Sequence, residues 1–429
     1  RSMRLSAALC RPSMPRRLPE GAFTKPSTLK IVTITQSSEA VALFQKIGVD
    51  PYGISAMTPK TRHVNILLPA RPCKIANILK QEMLALGADA AVARGSVSCA
   101  VDATDVLLMG TFKQILALAG KIEKQPFGLD GIACDLRRLL DHLGKKLFSL
   151  KTSRRELLLG DRTLIMGILN VTPDSFSDGN RYFDRRRAID RGLQMAEEGA
   201  DIIDIGGEST RPGAKTVPLK EEIARVVPVV EQLAGKLSIP LSVDTTKARV
   251  AEKALAAGAE IINDISALAG DRKMASVIRK ASAAVVLMHM RGTPADMQQG
   301  DLRYDDLTGE IIAFLGDAVQ KALAAGISRE SLVIDPGIGF GKTYEDNCRI
   351  LNRLDEFRAL GLPLLVGTSR KAFIGSVTGE AADQRTEGTA ATVAAAVMRG
   401  CSIVRVHDVA AMKKVAAMTD AIVRAGMAP

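Results

Sequence analysis

The second half of the chain alternates short apolar runs with amphipathic stretches. Eight runs rich in Val, Ile and Leu follow residue 163, and each predicts a strand: 164–170, 202–206, 241–244, 261–265, 285–290, 332–335, 364–367 and 403–407. Helical patterns fill the gaps, for example at 219–237 and 311–325. Such continuous apolar runs are typical of parallel strands buried on both faces. An open, doubly wound sheet could use the same alternation, but eight near-regular units favour a closed (β/α)8 TIM barrel.

The first 150 residues follow a different pattern, which predicts a small separate α/β domain. Strands are predicted at 29–33, 63–68, 90–98 and 106–109, and helices at 39–47, 73–86, 112–124 and 133–143. This order fits a mixed sheet covered by helices. We therefore divide the chain into a tail at 1–27, this domain at 28–150, a linker at 151–162 and the barrel at 163–429.

The tail at 1–27 contains five Arg, four Pro and one acidic residue, which is typical of a disordered segment. An Arg-rich, acid-poor start also suits a targeting peptide, and residues added for expression are an equal alternative. We leave this segment out of the fold prediction.

Charge divides the chain at the same place as the hydrophobic pattern. Residues 1–160 hold 24 Lys and Arg against 12 Asp and Glu, whereas residues 161–429 hold 34 against 35, so the net charge of +11 arises in the first part. A basic domain could bind an anionic partner, or the charge could serve solubility or docking onto an acidic neighbour.

Composition excludes several classes of protein. The sequence has no Trp and four Tyr, which argues against a stacking platform for single-stranded nucleic acid. No apolar run is long enough for a membrane-spanning helix. The six Cys are scattered and form no C-x-x-C pair, which argues against zinc ribbons and disulfide frameworks. We therefore expect a cytoplasmic protein without nucleic-acid or membrane partners.

Polar residues lie at or just beyond the C-terminal end of each predicted barrel strand. They are Asn170, Glu208, Asp244, Asn263, His289, Asp335, Ser369 and Arg405. In barrels of this kind the active site lies at the C-terminal ends of the strands. One such residue could be a helix cap or a satisfied strand end, but polar residues at the ends of all eight strands predict a functional face.

The same strand ends carry motifs that resemble those of the dihydropteroate synthase family. The motifs are GILNVTPDSFSDG (167–179), DIGGESTRPG (204–213), SVDT (242–245), INDI (262–265), MHM (288–290), DPGIGFGK (335–342), GTSRK (367–371) and RVHD (405–408). The resemblance covers 163–429 and implies a TIM-barrel transferase of folate synthesis. Such an enzyme joins a dihydropterin pyrophosphate to p-aminobenzoate. Residues 77–84 and 90–95 also resemble an accessory N-terminal domain of some longer synthases.

The resemblance implies a role for each candidate site residue. It assigns the pterin to Asp244, Asn263, Met288, Asp335, Phe340 and Lys371, and the pyrophosphate to Thr210, Arg405 and His407. It assigns p-aminobenzoate to Phe176, Thr210, Arg211, Pro212 and Ser369. Asp244, Lys371, Arg405 and His407 would act in catalysis, and Asn170 would bind Mg²⁺. The resemblance further implies small-molecule substrates and a homodimer.

The chemistry of these residue types agrees with the implied roles. A carboxylate such as Asp335 can accept two parallel hydrogen bonds from the guanidine-like edge of a pterin. Arg405 offers a bidentate fork to phosphate, and the oxygen of Asn170 suits Mg²⁺. No nucleophilic residue is needed, because the aniline nitrogen attacks as it stands. The resemblance implies that pyrophosphate departs first and leaves a stabilised cation.

Two alternative functions remain open at this point. A pterin-binding methyltransferase that acts on a corrinoid protein would share Asp335, Asn263 and Asp244, but it would have no use for the anion-binding residues. A non-catalytic barrel could instead serve as a scaffold for the basic domain. An ATP site at 337–343 is not predicted, because a nucleotide phosphate loop needs Gly where this chain has Pro336.

Overall fold

The structure is a computed structural model that describes residues 29–171, 181–209, 213–214 and 216–425, with the backbone alone for 181–184. In the first part the elements are α1 Ser37–Ile47, α2 Pro51–Met57, β1 His63–Pro72, α3 Cys73–Ala85, β2 Asp89–Ala91, β3 Ala103–Thr111, α4 Phe112–Ile122 and α5 Leu129–Gly144. The strands form an antiparallel sheet in the order β1-β3-β2. Buried side chains of α3, α4 and α5 pack with it in one core.

Two strand predictions for this part were wrong: one strand does not form, and the other is much shorter than predicted. Residues 29–33 form no strand, and Leu29 and Ile31 are 94% and 97% exposed. Among the described residues no strand pairs with this segment, and strand formation depends on such pairing. The strand predicted at 90–98 covers only Asp89–Ala91, because turns occupy 94–99.

A β-hairpin occupies most of the segment predicted as a linker. It consists of β4 Phe148–Lys151 and β5 Glu156–Leu159. Leu150 and Leu159 are fully buried and pack with the innermost side chains of the barrel strands. Arg155 forms an ion pair of 2.8 Å with the buried Glu260. The hairpin therefore closes the N-terminal end of the barrel.

The eight predicted barrel strands are confirmed, with ends that differ by no more than a few residues. They are β6 Leu164–Asn170, β7 Ile202–Gly206, β8 Leu241–Asp244, β9 Ile261–Asp264, β10 Ala284–Met288, β11 Leu332–Asp335, β12 Leu365–Val366 and β13 Ile403–Val406. All neighbours in this sheet are parallel. A bridge between Ile334 and Leu364 joins β11 to β12, so the barrel is closed.

The outer helices cover the strands and bury the larger part of the core. They are α6 Arg181–Glu197, α7 Leu219–Ala234, α8 Ala248–Ala257, α9 Met274–Ala281, α10 Leu307–Ala324, α11 Tyr344–Asn352, α12 Ala372–Thr378, α13 Thr386–Met398 and α14 Val409–Arg424. Strand and helix side chains form one continuous apolar cluster. Within the described ranges, no helix combines the length and the apolar character needed to cross a membrane.

The first part of the chain contacts the barrel at the N-terminal end of its strands. His142 Nδ1 donates to the carbonyl of Ala359 at 2.7 Å, and Arg358 donates to the carbonyl of Leu143 at 2.7 Å. Both barrel residues lie in the helical turn Leu354–Leu360, which precedes β12. In these two hydrogen bonds the barrel contributes a backbone carbonyl and an arginine side chain, and no carboxylate. This contact region lies opposite the C-terminal strand ends.

Candidate active site

Polar side chains from several strands meet inside the C-terminal end of the barrel. They include Asp204, Asp244, Asn263, Asp335 and Arg405, and the first four are at most 8% exposed. Parallel strands bring their C-terminal ends together, so residues far apart in sequence become neighbours. Buried polar groups need hydrogen-bond partners, and most of these residues find them in one another.

Arg405 is the centre of this polar cluster. Its Nε donates to Asp204 Oδ2 at 2.6 Å and its Nη2 donates to Asp244 Oδ2 at 2.9 Å. Burial lowers the pKa of Arg405, but the two carboxylates raise it by more. Burial raises the pKa of Asp244, and Arg405 opposes that rise. The guanidinium keeps further N–H groups that can meet an anion.

Asp335 and Lys371 lie on the other side of the cluster. Asp335 Oδ1 accepts from the backbone N–H of Gly337 at 2.7 Å. Gly337 has φ 70°, and a Cβ atom there would collide with the carbonyl of His289, so glycine is required. Burial raises the pKa of Asp335, and Lys371 opposes the rise. Burial lowers the pKa of Lys371 to about 8.

Apolar side chains border this carboxylate and amine. Met288 and Phe340 pack together with Ile265 and Met297 in a small cluster separate from the main core. Lys371 Nζ lies 4.7 Å from the centre of the Phe340 ring. Met288 and Phe340, which the resemblance assigned to the same ligand, are therefore brought together. Ile265 and Met297, residues to which the sequence analysis assigned no role, complete this cluster.

His407 and Ser369, which the resemblance assigned to different ligands, contact each other directly. His407 Nδ1 lies 2.9 Å from Ser369 Oγ, and the backbone N–H of His407 donates to the same oxygen at 3.2 Å. An ion pair of 2.6 Å between Arg370 and Asp408 holds the two loops beside them. His407 follows β13 rather than ending it, since the strand stops at Val406.

A buried Lys342–His289 pair escaped the sequence analysis. Lys342 Nζ lies 2.9 Å from His289 Nδ1 and donates to the carbonyl of Phe340 at 3.0 Å. Burial lowers the pKa of Lys342 to about 7 and that of His289 to about 3. The pair ties the loop after β10 to the loop after β11. Lys342 points into the protein, which agrees with the exclusion of a nucleotide phosphate loop.

Asp204 is a further residue to which the sequence analysis assigned no role. It is fully buried in the middle of β7, between Ile203 and Ile205. An ionisable residue inside a strand buried on both faces is costly unless it is paired. A charged residue in the middle of an apolar run was therefore the one feature of the sequence that could have indicated a role for Asp204.

Four predicted residues, Phe176, Thr210, Arg211 and Pro212, lie outside the described residues. Asn170 ends β6 beside Gly206 of β7, where its amide oxygen faces the same end of the barrel. The described part of the chain contains no group of three or more His, Cys, Asp or Glu suited to a metal ion. Asn170 therefore fits Mg²⁺ only if water and substrate oxygens supply the other ligands.

Comparisons with known proteins agree on one family. Residues 166–407 match the family model described as pterin binding enzyme. The dihydropteroate synthase of Bacillus subtilis is 48% identical over 266 residues, which are 62% of this chain and 90% of that protein. The chain belongs to the dihydropteroate synthase family. A solved synthase of Xanthomonas albilineans with 4-aminobenzoic acid is 45% identical, with a TM-score of 0.60, over 64% of this chain and 97% of that chain.

The similarity to one longer member of the dihydropteroate synthase family extends beyond the barrel. A probable bifunctional folylpolyglutamate synthase/dihydropteroate synthase of Halobacterium salinarum is 41% identical over 365 residues, or 85% of this chain and 43% of that protein. Residues 163–429 number only 267. The alignment therefore reaches well into the part that precedes the barrel.

Proposed function

We propose that the chain catalyses the condensation of 6-hydroxymethyl-7,8-dihydropterin pyrophosphate with p-aminobenzoate to 7,8-dihydropteroate and pyrophosphate. The observation that carries this proposal is the joint placement of Arg405, Asp244, Asn263, Asp335 and Lys371 at one end of the barrel. This set combines a carboxylate and an amine for a flat heterocycle with a partly buried guanidinium for an anion. The family relationship supports the same reaction, which is a step of folate biosynthesis.

The pterin ring would lie between Asp335 and Lys371. The carboxylate of Asp335 accepts from the 2-amino group and the adjacent ring N–H, and the ammonium of Lys371 donates to the ring carbonyl. Asp244 and Asn263 meet the remaining polar edge. Met288 and Phe340 contact the faces of the ring, since they already pack together beside Lys371.

The pyrophosphate would lie against Arg405 and His407, with Thr210 as a further donor. We propose that Asn170 binds Mg²⁺ together with phosphate oxygens and water, which would offset the negative charge of the leaving group. Arg405 stabilises the charge that develops as the C–O bond breaks. Asp244, whose carboxylate lies 2.9 Å from Arg405, stabilises the cationic pterin methylene that remains.

The aniline nitrogen of p-aminobenzoate then attacks the methylene and loses its proton. We propose that Ser369, Phe176, Thr210, Arg211 and Pro212 hold this second substrate. Ser369 lies against His407, so the p-aminobenzoate site would adjoin the pyrophosphate site. A closed site excludes water, which would otherwise capture the cation.

A direct comparison of two reactions tests this proposal. The full chain is incubated with the pterin pyrophosphate and p-aminobenzoate, and separately with a methylated folate and a free corrinoid. We expect dihydropteroate in the first mixture and no methyl transfer in the second. Methyl transfer without dihydropteroate would favour the methyltransferase, and the absence of both products would favour a non-catalytic scaffold.

The rate should fall above pH 8 because of Lys371. Its pKa is lowered from 10.5 to about 8, so the ammonium form that donates to the ring carbonyl is present below pH 8 and lost above it. We expect kcat/KM for the pterin pyrophosphate to decline about tenfold per pH unit on that side. Lys371→Arg keeps its charge at high pH and should show no decline below about pH 10. The same decline in both proteins would remove Lys371 from the proposal.

The segment before the hairpin should be dispensable for chemistry, because its contacts lie at the opposite end of the barrel. A fragment 146–429 keeps the hairpin and should retain turnover within about tenfold at roughly 0.15 M salt. A matched fragment 160–429 loses Arg155 and leaves Glu260 buried without its partner, a loss of about 3 kcal/mol in stability. Thermal melts and turnover check both fragments. A folded but inactive 146–429 would show that the first part supplies part of the site.

We also propose a homodimer formed through the last two helices. Met398, Met418 and Ile422 are 62%, 63% and 55% exposed, and exposed apolar patches often mark interfaces. Met398→Glu should shift the protein from dimer to monomer in sedimentation, whereas Leu158→Glu on the hairpin should not. An unchanged sedimentation coefficient in Met398→Glu would contradict this interface. The cytoplasmic location expected from the scattered cysteines stays a prediction.

A further inference from the structure

One oxygen of Asp204 holds two side chains of the site. Asp204 Oδ2 accepts from Arg405 Nε at 2.6 Å and from Asn263 Nδ2 at 3.0 Å. Arg405 is proposed to bind the pyrophosphate and Asn263 the pterin. Asp204 itself is fully buried below them, in the middle of β7. It therefore connects the two halves of the substrate site without being placed to contact either half of the substrate.

Asp204 holds Arg405 independently of Asp244. Arg405 uses Nε for Asp204 and Nη2 for Asp244. Asp244 is itself proposed to bind the pterin, so its carboxylate must accept from both Arg405 and the pterin once the substrate binds. A second carboxylate on Nε keeps the guanidinium plane fixed during that exchange. Because directed hydrogen bonds to a charged group are geometrically specific, the orientation of Arg405 depends on Asp204.

The other oxygen of Asp204 has an unpaired neighbour. Asp204 Oδ1 and Ser242 Oγ are both buried without a hydrogen-bond partner in the described part of the protein. The parallel register pairs Asp204 with Ser242 across β7 and β8, so both side chains point to the same face of the sheet. Buried polar atoms of this kind are commonly bridged by an internal water molecule.

We infer that Asp204 is a positioning residue that orients Arg405 and Asn263 for the substrate, and that one buried water molecule bridges Asp204 Oδ1 and Ser242 Oγ. The inference deepens the proposed function and rests on it for the turnover measurements. Its binding and crystallographic measurements do not require turnover. Asp204 acts through its two partners rather than on the reacting atoms.

A double-mutant cycle tests the positioning role. Asp204→Ala should lower kcat/KM for the pterin pyrophosphate by about a hundredfold, as the loss of charged hydrogen bonds implies. In an Arg405→Ala, Asn263→Ala background the same change should have an effect of less than about threefold. A residue that merely supports the fold would give the same loss in both backgrounds. Additive effects would therefore overturn the inference.

A conservative variant separates orientation from folding. In Asp204→Asn the amide oxygen can still accept from Arg405 and Asn263, while the amide NH₂ can donate to the water. We expect it to recover at least about tenfold of the activity lost in Asp204→Ala. Ser242→Ala, equally buried but without contact to Arg405, is the matched control and should stay within about threefold. Asp204→Asn as inactive as Asp204→Ala, with wild-type thermal melts, would contradict the positioning role.

Binding measurements distinguish failure of this inference from failure of the proposed function. Calorimetry with a phosphate-free pterin and with inorganic pyrophosphate repeats the cycle without catalysis. If the wild-type chain gives no turnover but the binding cycle is non-additive, the function is wrong and the positioning role stands. A crystal structure should contain one solvent peak within about 3.2 Å of Asp204 Oδ1 and Ser242 Oγ. The absence of that peak would overturn the water bridge.

Discussion

Asp335→Asn should abolish pterin binding while leaving the fold intact. The carboxylate accepts two hydrogen bonds from the pterin edge, whereas an amide must present a donor to one of those donors. We expect a loss of about 3 kcal/mol or more, as for a buried polar group left unpaired. Asp335 Oδ1 also accepts from Gly337 N–H at 2.7 Å, and the amide oxygen can keep that bond. Calorimetry with a phosphate-free pterin measures the loss.

A matched variant controls for general damage to this region. Asp346 is also buried, and its Oδ2 accepts from the Thr343 N–H at 3.1 Å at the start of α11. Asp346→Asn should lower thermal stability but leave pterin affinity within about threefold. Pterin affinity of wild-type strength in Asp335→Asn would remove Asp335 from the binding site.

Arg405→Ala and His407→Ala should weaken the pterin pyrophosphate much more than a pterin that lacks phosphates. Both residues belong to β13 and the residue that follows it, whereas the ring contacts lie at other strand ends. We expect at least about a hundredfold loss for the ester in Arg405→Ala, because charged hydrogen bonds to phosphate are lost. Competition binding with the two ligands gives the ratio directly.

The structure adds one complication to the arginine variant. Arg405→Ala leaves Asp204 and Asp244 without their shared cation, which should also lower stability. Arg405→Lys retains a positive charge and keeps the protein testable. Arg370→Ala, which breaks only the pair with Asp408, is the matched control. Equal weakening of ester and free pterin in the Arg405 and His407 variants would assign both residues a structural role.

The barrel was predictable because its pattern is repeated and strong. Each of its eight strands is an apolar run buried on both faces, and burial rather than local propensity determines such strands. The first part of the chain was harder. The segment 29–33 has strand-like alternation, but no strand in the described part of the chain pairs with it. Most of the hairpin at Phe148–Leu159 lies in the segment that was predicted as a linker. Pairing partners of short strands are not encoded locally.

The candidate site divides in the same way. Residues at or next to the ends of strands, such as Asp244, Asp335 and Arg405, could be found because the fold places all C-terminal strand ends on one face. Asp204 and the Lys342–His289 pair could not be assigned a role from the pattern, because their significance lies in contacts between distant segments. The charged residue inside the apolar run of β7 was visible in the sequence, but its position alone does not show which side chains it contacts.

The release of pyrophosphate by the full chain tests the central claim most directly. The chain is mixed with 6-hydroxymethyl-7,8-dihydropterin pyrophosphate, and free pyrophosphate is followed with and without p-aminobenzoate. The account predicts release that depends on p-aminobenzoate, with one pyrophosphate formed for each dihydropteroate and none detectable in Asp335→Asn. Release that is absent, or that is unchanged in Asp335→Asn, would contradict the assignment of this site.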